Sequence, residues 1–379
     1  MISTKLISID TSIFGKLAKD FYSRSKSHHG NAARFIRFVT NNGLIPYFSH
    51  HHIQELLQHN NDNIIYDRWS FIRKFPIIAW LQGPGESSLL GSIMEVHAAE
   101  LSYILQDTSL NFVDLISKVK KDIVTYSSGA EFVDRFEFVY CELRRMGKFD
   151  IQKGKSIESL SHIRDPEIDN TKLTVLNVSK LKPFDDAVKW SKDYAKDLET
   201  SLRERGDPKL NNHLHISNKF VSQVLDDSKS LYKDNDLSLF EKFIVRKGVD
   251  LSQIDSKTTV GDLGYLAMYN TKMKIVADSF RLDFNEVKKI SEKIPSWILW
   301  RELDEIIRKE KKAHGSNMLD KHMAILALYV DVFIVDKRVS ECFRQLQNKM
   351  PILSKCFNRI LKLSCYSELE SCVGMDLTS

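Results

Sequence analysis

The chain has 379 residues, 42% hydrophobic and 28% charged, with 15 Gly and 8 Pro. These values describe an ordinary globular protein and argue against long loops and for much helix, in two structural units or in one core with a large inserted unit. The net charge of +5 permits a nucleic-acid partner without demanding one. The cysteines (Cys141, Cys342, Cys356, Cys365, Cys372) form no C-x-x-C pair, so neither a zinc site nor a disulfide framework is indicated.

Met1 to Ile9 lacks the pattern of a signal peptide. The longest apolar stretch, Met323 to Val335, is broken by Asp331 and too short to span a bilayer. A soluble, cytoplasmic protein in a reducing compartment, with no membrane partner, is expected.

Lys5 to Ile9 reads as a strand with Asp10-Thr11-Ser12 at its carboxyl end. Asp10 is either the N-cap of the next helix, a place that suits Asp, or a site acid. Apolar spacing predicts helices after Asp10 and from Ala32 to Asn42, then a strand, Leu44 to Phe48. Ser49 caps a helix from His50 to His59 on which Glu55 sits among Ile53, Leu56 and Leu57. His50, His51 and His52 cannot share one ion, because consecutive helical residues point about 100° apart. His51 and Glu55 do share a face.

A helix, Asn63 to Lys74, and a short strand, Pro76 to Leu81, precede the break at Gly83-Pro84-Gly85. Helices are expected over Ser92–Gln106, Leu110–Thr125 and Gly129–Met146. Lys148 to Lys182 is the least periodic region, read as a loop or flap with a weak strand at Leu173–Leu176. Helical patterning returns over Phe184–Arg205, Ser217–Tyr232, Leu237–Lys247, Val260–Phe280 and Trp297–Lys312. On the last of these, Asp304/Arg308 and Glu305/Lys309 are expected to pair at i, i+4. Gly315 to Asn317 is a turn, Met318 to Leu328 a buried helix, and Val332 to Val335 a core parallel strand ending at Asp336. Asp331 belongs to the turn before that strand. Two helices, Ser340–Gln347 and Ile352–Leu363, are expected to follow.

Taken together, Asp-Thr-Ser after the first strand, Ser-His-His-His-Ile-Gln-Glu-Leu-Leu, Asn-Met-Leu-Asp-Lys-His-Met-Ala and Val-Phe-Ile-Val-Asp-Lys-Arg resemble the ordered acidic motifs of PIN-domain nucleases. The resemblance implies an α/β fold: a PIN-like parallel sheet with flanking helices, interrupted by a large, mainly α-helical insertion. The core would be residues 1–82 and 296–350, the insertion 83–295, and 351–379 a C-terminal helix and tail. It also implies that Asp10, Glu55, Asp320 and Asp336 are catalytic and bind Mg2+ or Mn2+. Thr11, Ser12, Lys337 and Arg338 would contact substrate. Two departures from the family pattern stand out. Positions 55 and 320 differ by 265, where the family spends a few dozen residues. Ile334 also stands where Thr or Ser is frequent.

Four converging carboxylates suit such chemistry, because hard cations take oxygen ligands and relieve the repulsion among them. The function implied is hydrolysis of phosphodiester bonds in RNA (more than DNA) or in single-stranded or branched DNA. The family's toxin and defence settings would bring a protein regulator. A non-catalytic PIN-like module binding nucleic acid or protein, and a metal hydrolase of small substrates, are the alternatives.

Overall fold

The computed structural model describes residues 4–83, 90–163, 166–174, 184–229, 241, 244–245, 248–309 and 317–374. In chain order the first elements are β1 (Lys5–Ile9), α1 (Thr11–Phe21), α2 (Lys26–Asn41), β2 (Leu44–Phe48), α3 (His50–Leu56), α4 (Asp62–Ile72) and β3 (Ile78–Leu81). There follow α5 (Ile93–Gln106), α6 (Phe112–Ile123), β4 (Val124–Ser127), α7 (Gly129–Arg135), α8 (Glu137–His162), α9 (Pro166–Asp169), α10 (Phe184–Arg205) and α11 (His213–Lys229). The chain continues with α12 (Val260–Phe280), α13 (Phe284–Lys288), α14 (Pro295–Arg308), α15 (Asn317–Ala324), β5 (Val332–Val335), α16 (Lys337–Lys349), α17 (Pro351–Ser354), β6 (Arg359–Lys362) and α18 (Leu369–Gly374).

The six strands form one sheet in the order β4-β3-β2-β1-β5-β6. All neighbours are parallel except the β3–β4 pair at one edge. As the sequence predicts, Leu6–Ile9, Leu44–Phe48 and Val332–Val335 lie parallel in that sheet, with β1 at its centre beside β5. Side chains alternate between faces. Ile7 and Ile9, Leu44 and Phe48, Ile78 and Trp80, and Val332 and Ile334 enter one cluster with Phe14 and Leu17 of α1 and Phe132 of α7. Ser8, Tyr47 and Phe333 take the other face, where Phe333 meets Phe343 of α16 edge-on at 5.7 Å. Both faces are therefore covered, which is why these strands are apolar runs without a polar side.

A buried acid ties the second layer together. Glu100 of α5, fully buried, accepts hydrogen bonds from the Ser296 backbone and hydroxyl on α14 and from the Tyr329 hydroxyl just before β5. Burial pushes its carboxyl up to about 7.

Several expected elements differ. The tail expected to be helical from Ile352 to Leu363 supplies a short helix and then β6, whose ladder with β5 runs from Val332↔Arg359 to Val335↔Lys362. The expected helix Leu110–Thr125 ends at Ile123, and β4 follows directly. The expected loop after Lys148 begins as the second half of α8. That half is held by contact rather than by periodicity: Ser159 Oγ accepts from the Asp207 backbone at 3.0 Å, while Glu158, Ser159 and His162 are buried. Leu173 and Thr174 are helical, and the rest of the strand candidate Leu173–Leu176 lies outside the described residues.

Contacts divide the chain into two units. One contains residues 1–151, 290–307 and 318–379, the other 152–289 and 308–317. The sheet's unit thus takes in residues 83–151 and 351–379, beyond the core expected from 1–82 and 296–350. Its β4 and β6 come from those additions. Within the second unit, α10 and α11 pack around Leu198, Leu202, Leu210 and Val221. No helix among the described residues is long and apolar enough to cross a membrane.

Candidate active site at the carboxyl ends of the central strands

Asp10 leaves β1 and Asp336 leaves β5, neighbouring parallel strands that register Ile9 with Ile334. The Asp10 N–H donates to the Ile334 carbonyl at 3.1 Å, so the two acids emerge side by side at the same end of the sheet. Each is also an N-cap. Asp10 Oδ1 accepts from the Ser12 N–H at 2.8 Å and from the Ser12 hydroxyl; Asp336 Oδ1 accepts from the Val339 N–H at 2.7 Å. Capping occupies one oxygen of each carboxylate and fixes its direction, so cap and site acid are compatible roles.

Glu55 reaches this mouth from α3. The start of that helix is locked by His52, whose Nδ1 accepts from the Ser49 N–H at 3.2 Å while its Nε2 meets Ser8 Oγ of β1 at 3.0 Å. Burial holds the His52 imidazole down to about 4, neutral in its structural role. His51 packs against His322 of α15, ring centroids 4.6 Å apart. This contact joins α3 to α15 and brings their acids, distant in sequence, into one neighbourhood.

The charges that reach Glu55 come from both sides of this mouth. Glu55 is pushed up to about 8, first by burial, then by the charge of Asp320 and, more weakly, that of Asp10. A hydrogen bond from Thr11 and the charge of Arg68 act the other way. Its Oε2 is buried and has no hydrogen-bond partner, an uncommon condition for a buried carboxyl oxygen. Asp320 and Asp10 therefore both act on Glu55. Asp336 stands on the adjacent strand exit and is not among the charges that act on Glu55.

Asp320 is held by Arg338 of α16 through an ion pair, with the carboxylate 11% and the guanidinium 25% exposed. Arg338, expected to contact substrate, thus serves as counter-charge to a site acid. Thr11 is buried and turned to Glu55, Ser12 is exposed and holds Asp10, and Lys337 is exposed at the first turn of α16. Among the described residues no group of three or more His, Cys, Asp or Glu side chains has the geometry to hold a metal ion. Arg338 takes one oxygen of Asp320, and Ser12 takes Oδ1 of Asp10.

Two supporting residues carry no local signal in the sequence. Arg68 of α4 donates to the Leu56 carbonyl at 3.1 Å, and its guanidinium lies 3.0 Å from where a Cβ on Gly15 would stand. Gly15 thus leaves room for the cation that faces Glu55. Lys321, next to Asp320, forms a buried ion pair with Asp304 of α14 at 2.8 Å and lies 5.6 Å from the Trp300 ring. The expected i, i+4 pairs of α14 are replaced accordingly: Asp304 takes Lys321 and Glu305 takes Lys349. Asp331 is at the opposite end of β5, accepting from the Leu6 N–H at 2.7 Å and pairing with Lys120 at 3.0 Å.

No protein family, curated protein or solved structure matches the chain.

Proposed function

We propose that this chain is a divalent-cation-dependent nuclease of PIN-like type, cutting RNA or single-stranded or branched DNA. The observation that carries the reading is the buried, unpartnered Glu55 oxygen beside Asp320 and Asp10. The charges of Asp320 and Asp10 raise the cost of ionising Glu55, and a hard cation would relieve that repulsion while taking oxygen ligands. Asp10, Glu55 and Asp320 would hold Mg2+ or Mn2+, with Asp336 closing the set from the next strand. A cation so held activates a water and neutralises the leaving oxygen. Ser12 keeps Asp10 oriented, Thr11 orients Glu55, and Arg338 balances Asp320 until the cation takes that role. Lys337, exposed beside the acids, would hold a substrate phosphate.

A second reading, a PIN-like module that binds nucleic acid or protein without cutting, is favoured by one observation. Arg338 already neutralises Asp320, which is what a site that had lost its cation would need.

Labelled RNA, single-stranded DNA and flap DNA, each incubated with and without manganese, separate the two. The nuclease reading expects manganese-dependent cleavage that falls by orders of magnitude in Asp10→Asn and stays within a few-fold of the parent in Asp331→Asn. A parent that cuts nothing, or an Asp10→Asn variant that cuts undiminished, would leave the binding module in its place.

A further inference from the structure

The acids occupy only part of the sheet's carboxyl edge; the part toward β6 is basic. Lys362 is the last residue of β6, in register with Val335, and the Leu363 N–H donates to the Val335 carbonyl at 3.2 Å. Lys362 therefore stands one strand away from the Asp336 exit. Leu361 and Leu363 pack into the cluster on the α1 side of the sheet. Strand alternation places Lys362 on the opposite, α16 side, the layer that also carries Lys337. The other layer supplies Lys16, whose Nζ lies 3.5 Å from Cys365 Sγ in the segment after β6. Ser12, Lys16 and Lys19 are all exposed and follow one another at i, i+4 and i+7 along α1, a single stripe starting beside Asp10.

None of Lys16, Lys19, Lys337 and Lys362 has an ion pair among the described residues, and all four are exposed. Several acids of the same segments make local contacts: Glu368 accepts from the Ser364 N–H, Asp20 from the Tyr366 hydroxyl, and Glu341 pairs with Arg344. Both lips of the mouth toward β6 therefore present exposed lysines that make no ion pair among the described residues, next to a centre of carboxylates. That charge pattern complements a chain of phosphates lying across the β6 end, and it repels the same chain from the acids themselves unless a cation intervenes.

We infer that Lys16, Lys337 and Lys362 form the track on which a single nucleic-acid strand lies, entering over β6 with its backbone between the lips, Lys19 extending the track along α1. This rests on the nuclease reading for what happens at the acids, but the track itself is a binding surface. The test is binding without cleavage: fluorescence anisotropy of a fluorescein-labelled single-stranded RNA oligonucleotide in EDTA, over a series of salt concentrations. Lys16→Ala, Lys337→Ala and Lys362→Ala should each weaken binding by roughly threefold or more and lower the salt slope by about 0.7. Lys257→Ala, an exposed lysine of the other unit, should leave both unchanged, and circular dichroism checks that every variant is folded. Failure of the triple lysine variant to weaken binding, or equal weakening by Lys257→Ala, overturns the track. Lysine-dependent capture of anionic vesicles with no RNA binding also overturns it, in favour of a membrane surface. Track-dependent binding by a chain that never cuts with manganese overturns the nuclease reading alone, while manganese-dependent cutting that ignores the lysines overturns the track alone.

Discussion

At the scale of single residues, Glu55 is where stability and the proposed function conflict. Its native carboxyl sits near 8 against an ordinary 4.5. Between those values the native state keeps a proton that the unfolded chain has released, so the stabilisation present at low pH is lost as pH rises through that window. Glu55→Gln resembles the protonated form at every pH. In EDTA it should match the parent near about pH 5 and exceed it by roughly 3 kcal/mol at about pH 8. Urea denaturation across that range measures the difference; a gap that does not widen with pH would show that Glu55 is not buried among acids. The four acids could be singled out in the sequence because each follows a strand or interrupts an apolar helix face. Arg68 and Gly15 were not, because a cation on one helix and a glycine inside another become partners only when the helices pack.

At the scale of elements, the central strands were readable because burial on both faces makes them continuous apolar runs. The edges were not. In β6, Arg359-Ile360-Leu361-Lys362 is only partly buried, and four residues of mixed polarity fit a helix end equally well. β4 continues a helix without a break, so nothing in Val124–Ser127 marks the change, and only pairing with Ile78–Leu81 reveals it. The second half of α8 shows the converse, a polar segment made helical by the partners of Ser159. The placement of α15 depends in the same way on the Lys321–Asp304 pair, whose side chains are 5% and 3% exposed. Removing Asp304 takes away a counter-charge 2.8 Å from the buried Lys321 ammonium. Asp304→Ala should therefore cost roughly 3–5 kcal/mol, whereas Asp304→Leu with Lys321→Met should recover most of it. Chemical denaturation of the three proteins decides: a single variant as stable as the parent would mean that the pair does not hold α15 in place.

At the scale of the whole molecule, the sheet's unit is assembled from three stretches of sequence, and the second unit from the residues between them. Between α3 and α15 the chain runs through further parts of the sheet's unit and through the second unit. The charge of Asp320 nevertheless acts on Glu55, 265 positions earlier in the chain. What the sequence could not supply is the internal counter-charge, since Arg338 and Asp320 pair only once α15 and α16 are packed at the end of β5. Whether these acids form a cation site despite Arg338 is decided by titrating Mn2+ into the purified protein by calorimetry. The parent should show saturable binding that disappears in a folded Asp10→Asn/Asp320→Asn variant. A parent giving no saturable heat, or a double variant binding Mn2+ as the parent does, would contradict it.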